Sequence, residues 1–422
     1  MMKSLPSIQK NMETSFKKVA YLSGAPRVST RPEAGAAGPR SHVLGVMNAF
    51  YRLGWDVQSF IVGDRVPLDW VRGEISASEL RQSQFKRVGA DLMRIGMGWL
   101  NSRKSWNEIG PVNLVYERYG AFQALGWRFK RQGIPWILET NALLSLESTK
   151  DRSTVALGAL LRRHERWAYH KCDVLVCISQ PLAELISRET GVSSEKIIVL
   201  PNGVDVFRLD PEKARPVRIF DGPTIGFVGQ LEGWQRLDLL LDAMVHLREE
   251  GVYYSLVVVG EGEMQVAWKQ HADSLGLSES VYFVGAVPWD DVPSYIAGFD
   301  LGYAGAMPLA AGSMYLSPLK LYEYAAMGKP VVTAAYADAL HLVRDGVAGY
   351  LFEPGGSDSI KEALRAAWAE RDRWKAMGQR TRAIVVEKHS WEARLQVLLS
   401  EVQRIQKEKG NNGKNHPARN TG

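Results

Sequence analysis

The densest run of potential chemistry is Ser317-Pro318-Leu319-Lys320-Leu321-Tyr322-Glu323-Tyr324-Ala325-Ala326-Met327-Gly328-Lys329-Pro330-Val331-Val332. Ser317 reads as a helix N-cap and Pro318 as part of the first turn. The amides of Leu319 and Lys320 then leave a positive helix end, which is a seat for phosphate. Lys320 adds a full charge beside it. Glu323, three residues on, shares the helix face of Lys320. A carboxylate there suits a bidentate hydrogen bond to two ribose hydroxyls. Gly328-Lys329-Pro330 ends the helix and feeds a strand. Read alone, the string is also a capped helix with a surface Lys–Glu pair, which is common.

Three other segments carry candidate groups. The loop Gly35-Ala36-Ala37-Gly38-Pro39-Arg40-Ser41-His42 is built of small residues that let backbone approach a ligand. Its plain alternative is a flexible loop before a helix, with His42 as a first-turn residue. The apolar strand Ile134–Leu138 ends in Glu139-Thr140-Asn141. Asn141 can donate and accept a hydrogen bond but cannot act as a base, and Glu139 is placed to orient a substrate. The bland reading of both is a strand-end turn. Glu147 and Glu165, further on, read as solvated or salt-bridged. Gly260-Glu261-Gly262-Glu263-Met264-Gln265 follows an apolar strand and has part of a dinucleotide fingerprint. The third glycine position is Gln265, so an NAD-dependent oxidoreductase is a poor fit.

These groups need a scaffold, and the sequence spells one. Strands are expected at Val19–Leu22, Val57–Val62, Leu114–Tyr116, Ile134–Leu138, Val174–Ile178 and Ile197–Leu200. Helical stretches lie between them. One begins with Ser41 as N-cap, carries Val43, Val46, Met47 and Phe50 at helical spacing, and stops at Gly54. After a Pro-rich, charged linker, roughly Asp205–Gly222, the rhythm restarts. Its strands are Thr224–Val228, Leu256–Val259, Val281–Val284, Leu301–Ala304, Val331–Thr333 and Tyr350–Phe352. Alternating strands and helices predict two open α/β domains with parallel sheets. Their ligands belong beyond the carboxyl ends of the strands, in a cleft between the domains.

The long string resembles the nucleotide-sugar signature of family-4 retaining glycosyltransferases. Val199-Leu200-Pro201-Asn202-Gly203-Val204-Asp205 looks like that family's interdomain motif, and Gly226-Phe227-Val228-Gly229 like the opening of its second domain. Leu256–Gly262 and Val281–Gly285 match in order and spacing, and the resemblance runs from about Val19 to about Trp391. It implies a GT-B fold of two facing Rossmann-like, doubly wound domains, a nucleoside diphosphate sugar donor in the second, an acceptor in the first, and neither metal nor cofactor. It assigns donor binding to Gly38, Arg40, Gln230, Gln235, Arg236, Gly260, Glu261, Gly262, Ser317, Leu319, Lys320 and Glu323, and the catalytic positions to Glu139 and Asn141.

The departures are specific. Many members carry a first glutamate eight positions before Glu323, where this chain has Tyr315. Members often have Arg and Lys where Gln230 and Gln235 stand, with Arg236 beside the latter. Two cations for the diphosphate are therefore missing, and Arg236, Lys320 and the helix amides must compensate. Asn141 stands where the family often has a histidine. A retaining transferase of this kind is implied to need no classical base, because the leaving phosphate accepts the acceptor's proton on the same face.

Bulk properties set outer limits. The chain has 422 residues, 52 Lys and Arg against 46 Asp and Glu, and a net charge of +6. That excess is too small to imply nucleic acid and suits an anionic ligand or membrane surface. The two cysteines, Cys172 and Cys177, make neither a disulfide framework nor a metal set and read as buried thiols. No apolar run at the N-terminus resembles a signal peptide, and none is long enough to span a bilayer. The expected location is cytoplasmic, peripheral on the inner membrane face. The stretch Leu80–Trp106 supports the latter. It carries Arg81, Lys86, Arg87, Arg94, Arg103 and Lys104 against Asp91, interleaved with Phe85, Leu92, Met93, Ile95, Met97, Trp99, Leu100 and Trp106. A helix packed on the sheet with its basic face in water is the alternative.

The sequence thus predicts a flexible N-terminus over residues 1–17, an acceptor domain over 18–205 and a nucleotide-sugar domain over 206–390. A helix over 391–408 returns to the first domain, and 409–422 is a disordered tail. The expected activity is transfer of a sugar to a glycan or lipid-linked acceptor. The alternatives are a nucleotide-sugar-binding pseudoenzyme or partner subunit, and another GT-B enzyme such as a nucleotide-sugar epimerase.

Overall fold

A computed structural model describes residues 17–34, 38–72, 84–147, 155–305, 317–344 and 348–414. The first domain carries strands β1 (Lys18–Ser23), β2 (Asp56–Ile61), β3 (Leu114–Arg118), β4 (Trp136–Thr140), β5 (Val174–Cys177) and β6 (Ile197–Val199). The second carries β7 (Thr224–Val228), β8 (Ser255–Val259), β9 (Val281–Gly285), β10 (Leu301–Ala304), β11 (Val331–Ala334) and β12 (Gly349–Phe352). The sheet orders are β2-β1-β3-β4-β5-β6 and β12-β11-β10-β7-β8-β9, and every pairing is parallel. Both sheets are covered on two faces, so their strands are apolar without alternation: Val19 to Leu22 and Leu256 to Val259 are buried throughout. All twelve strands lie where the hydrophobic runs predict, with ends moved by a residue or two.

The winding reverses once in each sheet, beside β1 and beside β7. Those reversals open crevices at the carboxyl ends of β1 and β3, and of β7 and β10. The helix Trp391–Lys414 leaves the second domain and packs in the first. Trp391, Leu395 and Leu398 are buried with Val43, Val46 and Phe50 of the helix Gly38–Arg52. Glycine makes the room. A β-carbon on Gly45 would lie 2.2 Å from the Trp391 Nε1, and one on Gly203 2.8 Å from the same indole. The chain therefore crosses between domains twice, and the crossings are laced together. The Val204 amide donates to the His389 carbonyl at 3.0 Å, and the Trp391 amide donates to the Val204 carbonyl at 3.1 Å.

Several expectations are corrected. The first long helix begins at Gly38, so Ser41 lies inside it and caps nothing. Pro39 explains the shift, because its fixed φ and missing N–H suit a first turn. The last helix continues past Glu408 to Lys414, since no proline intervenes before Pro417. Glu165 is not solvated, and among the described residues no cation pairs with it. It is buried and accepts the amides of Leu144 and Ser145 at 2.8 and 3.0 Å. Cys172 and Cys177 are buried free thiols, and burial pushes the Cys172 thiol up to about 12. Residues 1–16, Gly35, Ala36, Ala37, Leu80, Arg81, Tyr315 and 415–422 lie outside the described residues.

Candidate functional site

The signature string forms the helix Leu319–Ala326, eight residues that lie between β10 and β11. Its cap position is Pro318, in extended conformation and without a side-chain cap. Ser317 is therefore not the cap. Its hydroxyl accepts the Asn202 amide at 3.0 Å, and its carbonyl accepts the Asn202 Nδ2 at 2.6 Å. The interdomain motif thereby holds the start of this helix, a job for Asn202 that sequence reading missed.

Lys320 sits under the loop that follows β7. Its Nζ donates to the Gln235 Oε1 at 3.0 Å and lies 3.9 Å from the Phe227 ring centroid. Burial pulls the ammonium down to about 7, and the Glu323 charge only partly opposes this. Gln235 is itself buried, so it serves as the acceptor for Lys320. Gln230 is exposed. Arg236 has a left-handed backbone, φ 48°, and its guanidinium pairs with Asp238 at 2.8 Å. Gly260 and Gly262 serve a close loop approach. A β-carbon on Gly260 would lie 2.0 Å from the Gly229 carbonyl oxygen, and one on Gly262 2.6 Å from the Leu231 amide. Glu261 is exposed, and its carbonyl accepts the Leu231 amide at 3.0 Å.

Glu323 faces Arg208, whose Nη2 lies 3.6 Å from its Oε1. Burial raises the Glu323 carboxyl above its ordinary value, against the pull of Arg208 and Lys320. Arg208 also donates to the Trp289 carbonyl at 3.1 Å and stacks on that indole at 3.9 Å. Neither Arg208 nor Trp289 was read from the sequence. The only available signals were an arginine three residues past the Asp205 motif and a tryptophan just beyond the carboxyl end of β9.

The first domain comes close to the start of this helix. A β-carbon on Gly38 would lie 3.6 Å from the Leu319 Cδ1, so the starts of the two helices are adjacent. Arg40 is buried, bonds the Thr30 carbonyl through Nε at 3.3 Å, and lies over Trp289 at 4.9 Å. Ser41 accepts the Trp289 Nε1 at 2.8 Å. At the next position, the buried His42 Nε2 donates to the Glu139 Oε1 at 2.9 Å. Glu139 also takes the Tyr116 hydroxyl, the Asn141 Nδ2 at 3.0 Å and the Arg118 Nη1 at 3.5 Å. Burial alone would raise this carboxyl, but His42, Arg118 and Tyr116 hold it down at about 2. The two catalytic candidates thus share a hydrogen bond. Their partners Tyr116, Arg118 and His42 come from β3 and from the helix Gly38–Arg52.

The basic, apolar helix spans Gln84–Ile109. Phe85, Leu92, Met93, Trp99 and Leu100 are exposed, with Phe85 91% accessible. Lys86, Arg103 and Lys104 are exposed among them. Asp91 does not offset these charges at the surface. It is buried, pairs with Arg94 at 2.6 Å and accepts the amides of Ala156 and Leu157. Met97 and Trp106 turn inward onto the core. Among the described residues, no helix is long and apolar enough to cross a membrane, and no three His, Cys, Asp or Glu side chains group to hold a metal ion.

Comparison with known proteins gives a consistent picture. The profile of Glycosyltransferase Family 4 matches residues 37–208, and that of Glycosyl transferases group 1 matches 211–384. A 2-deoxystreptamine glucosyltransferase of Streptomyces kanamyceticus is 26% identical over 184 residues, 40% of this chain and 46% of that protein. A GDP-mannose-dependent alpha-(1-6)-phosphatidylinositol monomannoside mannosyltransferase of Mycolicibacterium smegmatis is 29% identical over 244 residues, 54% of this chain and 62% of that one. The match therefore spans only about half of these relatives' length. Among solved structures, Anabaena HepE in complex with UDP and glucose superposes with a TM-score of 0.61 at 18% identity, covering 94% of this chain and 100% of that one. With two profiles tiling both domains and the two-sheet architecture in place, the chain belongs to the family-4 glycosyltransferases of GT-B fold.

Proposed function

We propose that this chain transfers a sugar from a nucleoside diphosphate sugar to a glycan or lipid-linked acceptor, with retained anomeric configuration and without a metal ion. The observation that carries this reading is the meeting of two helix starts across the cleft, Gly38 beside Leu319, with Lys320 and Glu323 on the second helix. Helix starts concentrate unpaired amides and positive potential, so two adjacent ones favour a diphosphate. Glu323, one turn deeper, offers carboxylate acceptors for ribose hydroxyls. The UDP complex of HepE and the GDP-mannose dependence of the mycobacterial relative support a nucleotide-sugar donor.

Glu139 fits a positioning role. A carboxylate held near 2 by its buried partners is a weak proton acceptor. That supports a same-face reaction. The anomeric carbon's bond to the leaving phosphate breaks, the bond to the acceptor oxygen forms, and the acceptor's proton passes to the phosphate. Asn141, fixed by Glu139, would orient the sugar or acceptor. The exposed apolar and basic side chains of Gln84–Ile109 support peripheral attachment to an anionic membrane, which suits a lipid-linked acceptor.

The test is transfer from a panel of nucleotide sugars to lipid-linked and glycan acceptors in EDTA, with the product anomer read by NMR. One accepted donor and an unchanged anomeric configuration is the expected result. Donor binding without turnover across a broad acceptor panel would instead favour a partner subunit. Conversion of the sugar to its epimer without acceptor would favour an epimerase.

A further inference from the structure

Trp391 opens the helix that returns to the first domain, and it lies where the chain crosses between domains. Its amide donates to the Val204 carbonyl at 3.1 Å, and the Val204 amide donates to the His389 carbonyl at 3.0 Å. The indole is buried, with backbone close on two sides. A β-carbon on Gly45 would lie 2.2 Å from its Nε1, and one on Gly203 2.8 Å from its Cδ2. Gly45 belongs to the helix Gly38–Arg52, and Gly203 to the first crossing. A ring packed this closely has little freedom to turn.

The same indole reaches toward the site. Its centroid lies 4.7 Å from that of the His42 ring, with the planes at 77°, an edge-to-face contact. His42 stands three residues before Gly45, so both lie on the helix face that meets Trp391. The imidazole makes one hydrogen bond, from Nε2 to the Glu139 Oε1 at 2.9 Å, and its Nδ1 has no partner. The outer torsion of histidine is broad, so one hydrogen bond leaves the tilt of the ring open. The indole closes it. Glu139 in turn accepts the Asn141 Nδ2 at 3.0 Å. A continuous path of contacts thus runs from the crossing through Trp391, His42 and Glu139 to Asn141 at the end of β4.

We propose that His42 and Trp391 are positioning residues for sugar transfer: the indole at the crossing seats the imidazole, and the imidazole holds Glu139 where Asn141 meets the sugar or acceptor. This rests on the transfer reading above. It adds that the first-domain side of the site is set from the crossing, so that a turn of the lobes about that line reaches Glu139 through two packed rings. Both rings are buried, and they act through Glu139 rather than on the substrate.

The experiment is a double-mutant cycle on the full chain with His42→Leu, Trp391→Leu and the two together, beside Trp391→Phe. Rates are measured with the donor and acceptor that the natural protein uses, at a temperature where circular dichroism shows every variant folded. Each Leu variant should lose about tenfold or more in kcat, with the donor KM within about twofold of the natural value. The double variant should be no slower than the slower single, because the second change removes a link already broken. Trp391→Phe keeps a ring on His42 and should recover most of the loss. Should Trp391→Leu fail to fold, the cycle is run with Trp391→Phe, whose smaller loss must vanish in the His42→Leu background. Losses that multiply in the double variant would mean that the two rings act separately, and the proposal falls. It falls equally if kcat is unchanged in Trp391→Leu, since the indole then only holds the last helix. Nitrogen NMR of the imidazole needs no turnover. The His42 Nε2–H should exchange slowly with solvent in the natural protein and faster in Trp391→Leu. A natural protein that transfers no sugar overturns the transfer reading, and a His42 N–H equally protected in Trp391→Leu overturns the positioning.

Discussion

The His42 Nε2 lies 2.9 Å from the Glu139 Oε1, and both side chains are buried. Burial lowers the basicity of the imidazole, so at neutral pH the contact is a neutral N–H donated to a carboxylate. That assignment leaves Nδ1 as a lone-pair acceptor, and Nδ1 is the ring atom without a partner. The pair ties the first helix of the first domain to the end of β4. Removing the carboxylate strands its buried donors. Glu139→Ala should destabilise the protein by about 3–5 kcal/mol, as measured by urea unfolding. Glu139→Gln, which keeps an acceptor, should cost less but still lower kcat by misplacing Asn141.

Glu323→Ala tests the donor site directly. If Glu323 accepts from ribose as proposed, its loss should weaken the preferred nucleoside diphosphate by about tenfold or more. The variant should show a smaller ligand-induced rise in Tm than the natural protein. The shift should be the same in EDTA and in magnesium.

Lys320 gives a pH signature. Its free-state value is about 7, and a bound diphosphate favours the charged form and raises it. Affinity should therefore be fullest below pH 7 and fall as pH rises toward the bound-state value, with proton uptake on binding. Titration in two buffers of different ionisation enthalpy reads that uptake directly. The same depressed value has a stability sign. The unfolded chain keeps the lysine proton up to its ordinary value, so this residue's contribution rises with pH between about 7 and that value. Lys320→Met should flatten the affinity profile. A slope unchanged in that variant would mean that another group titrates.

Gly45→Ala should loosen the last helix. The added methyl would lie 2.2 Å from the Trp391 Nε1, a rigid ring atom with no easy retreat. Overpacking of this kind costs about 1–3 kcal/mol, readable as a lower Tm. Faster amide exchange should appear in Trp391–Lys414, whose buried side chains would lose their seat.

The stripe on Gln84–Ile109 predicts salt-sensitive binding to vesicles containing phosphatidylglycerol, and weaker binding to phosphatidylcholine alone. Replacing Phe85 and Trp99 with serine removes exposed apolar surface and should cut binding at least tenfold, with the fold intact. Equal partition onto both vesicle types would rule out an anionic surface as the partner.

The scaffold was legible because parallel strands buried on both faces write themselves as continuous apolar runs, as Leu256–Val259 does. The signature helix was legible because its sequence is contiguous. Its exact start was not, because Asn202 from a distant segment claims the Ser317 hydroxyl. The Arg40–Trp289–Arg208 assembly joins three points of the chain that no local spacing relates. His42 was visible only as a residue in a first turn. Its pairing with Glu139 depends on how the helix lies across β4, which is a tertiary fact. Arg236 looked like a spare cation, and Asp238, two residues away, accounts for it.

The laced crossings at Val204 and His389–Trp391 have a mechanical consequence. Two covalent tethers held side by side behave like a knife-edge, about which the lobes can rock but along which they cannot slide. Rocking then converts any gain at the mouth of the cleft into a rotation about a fixed line. A proteolytic nick in either tether would leave the lobes attached yet remove that line.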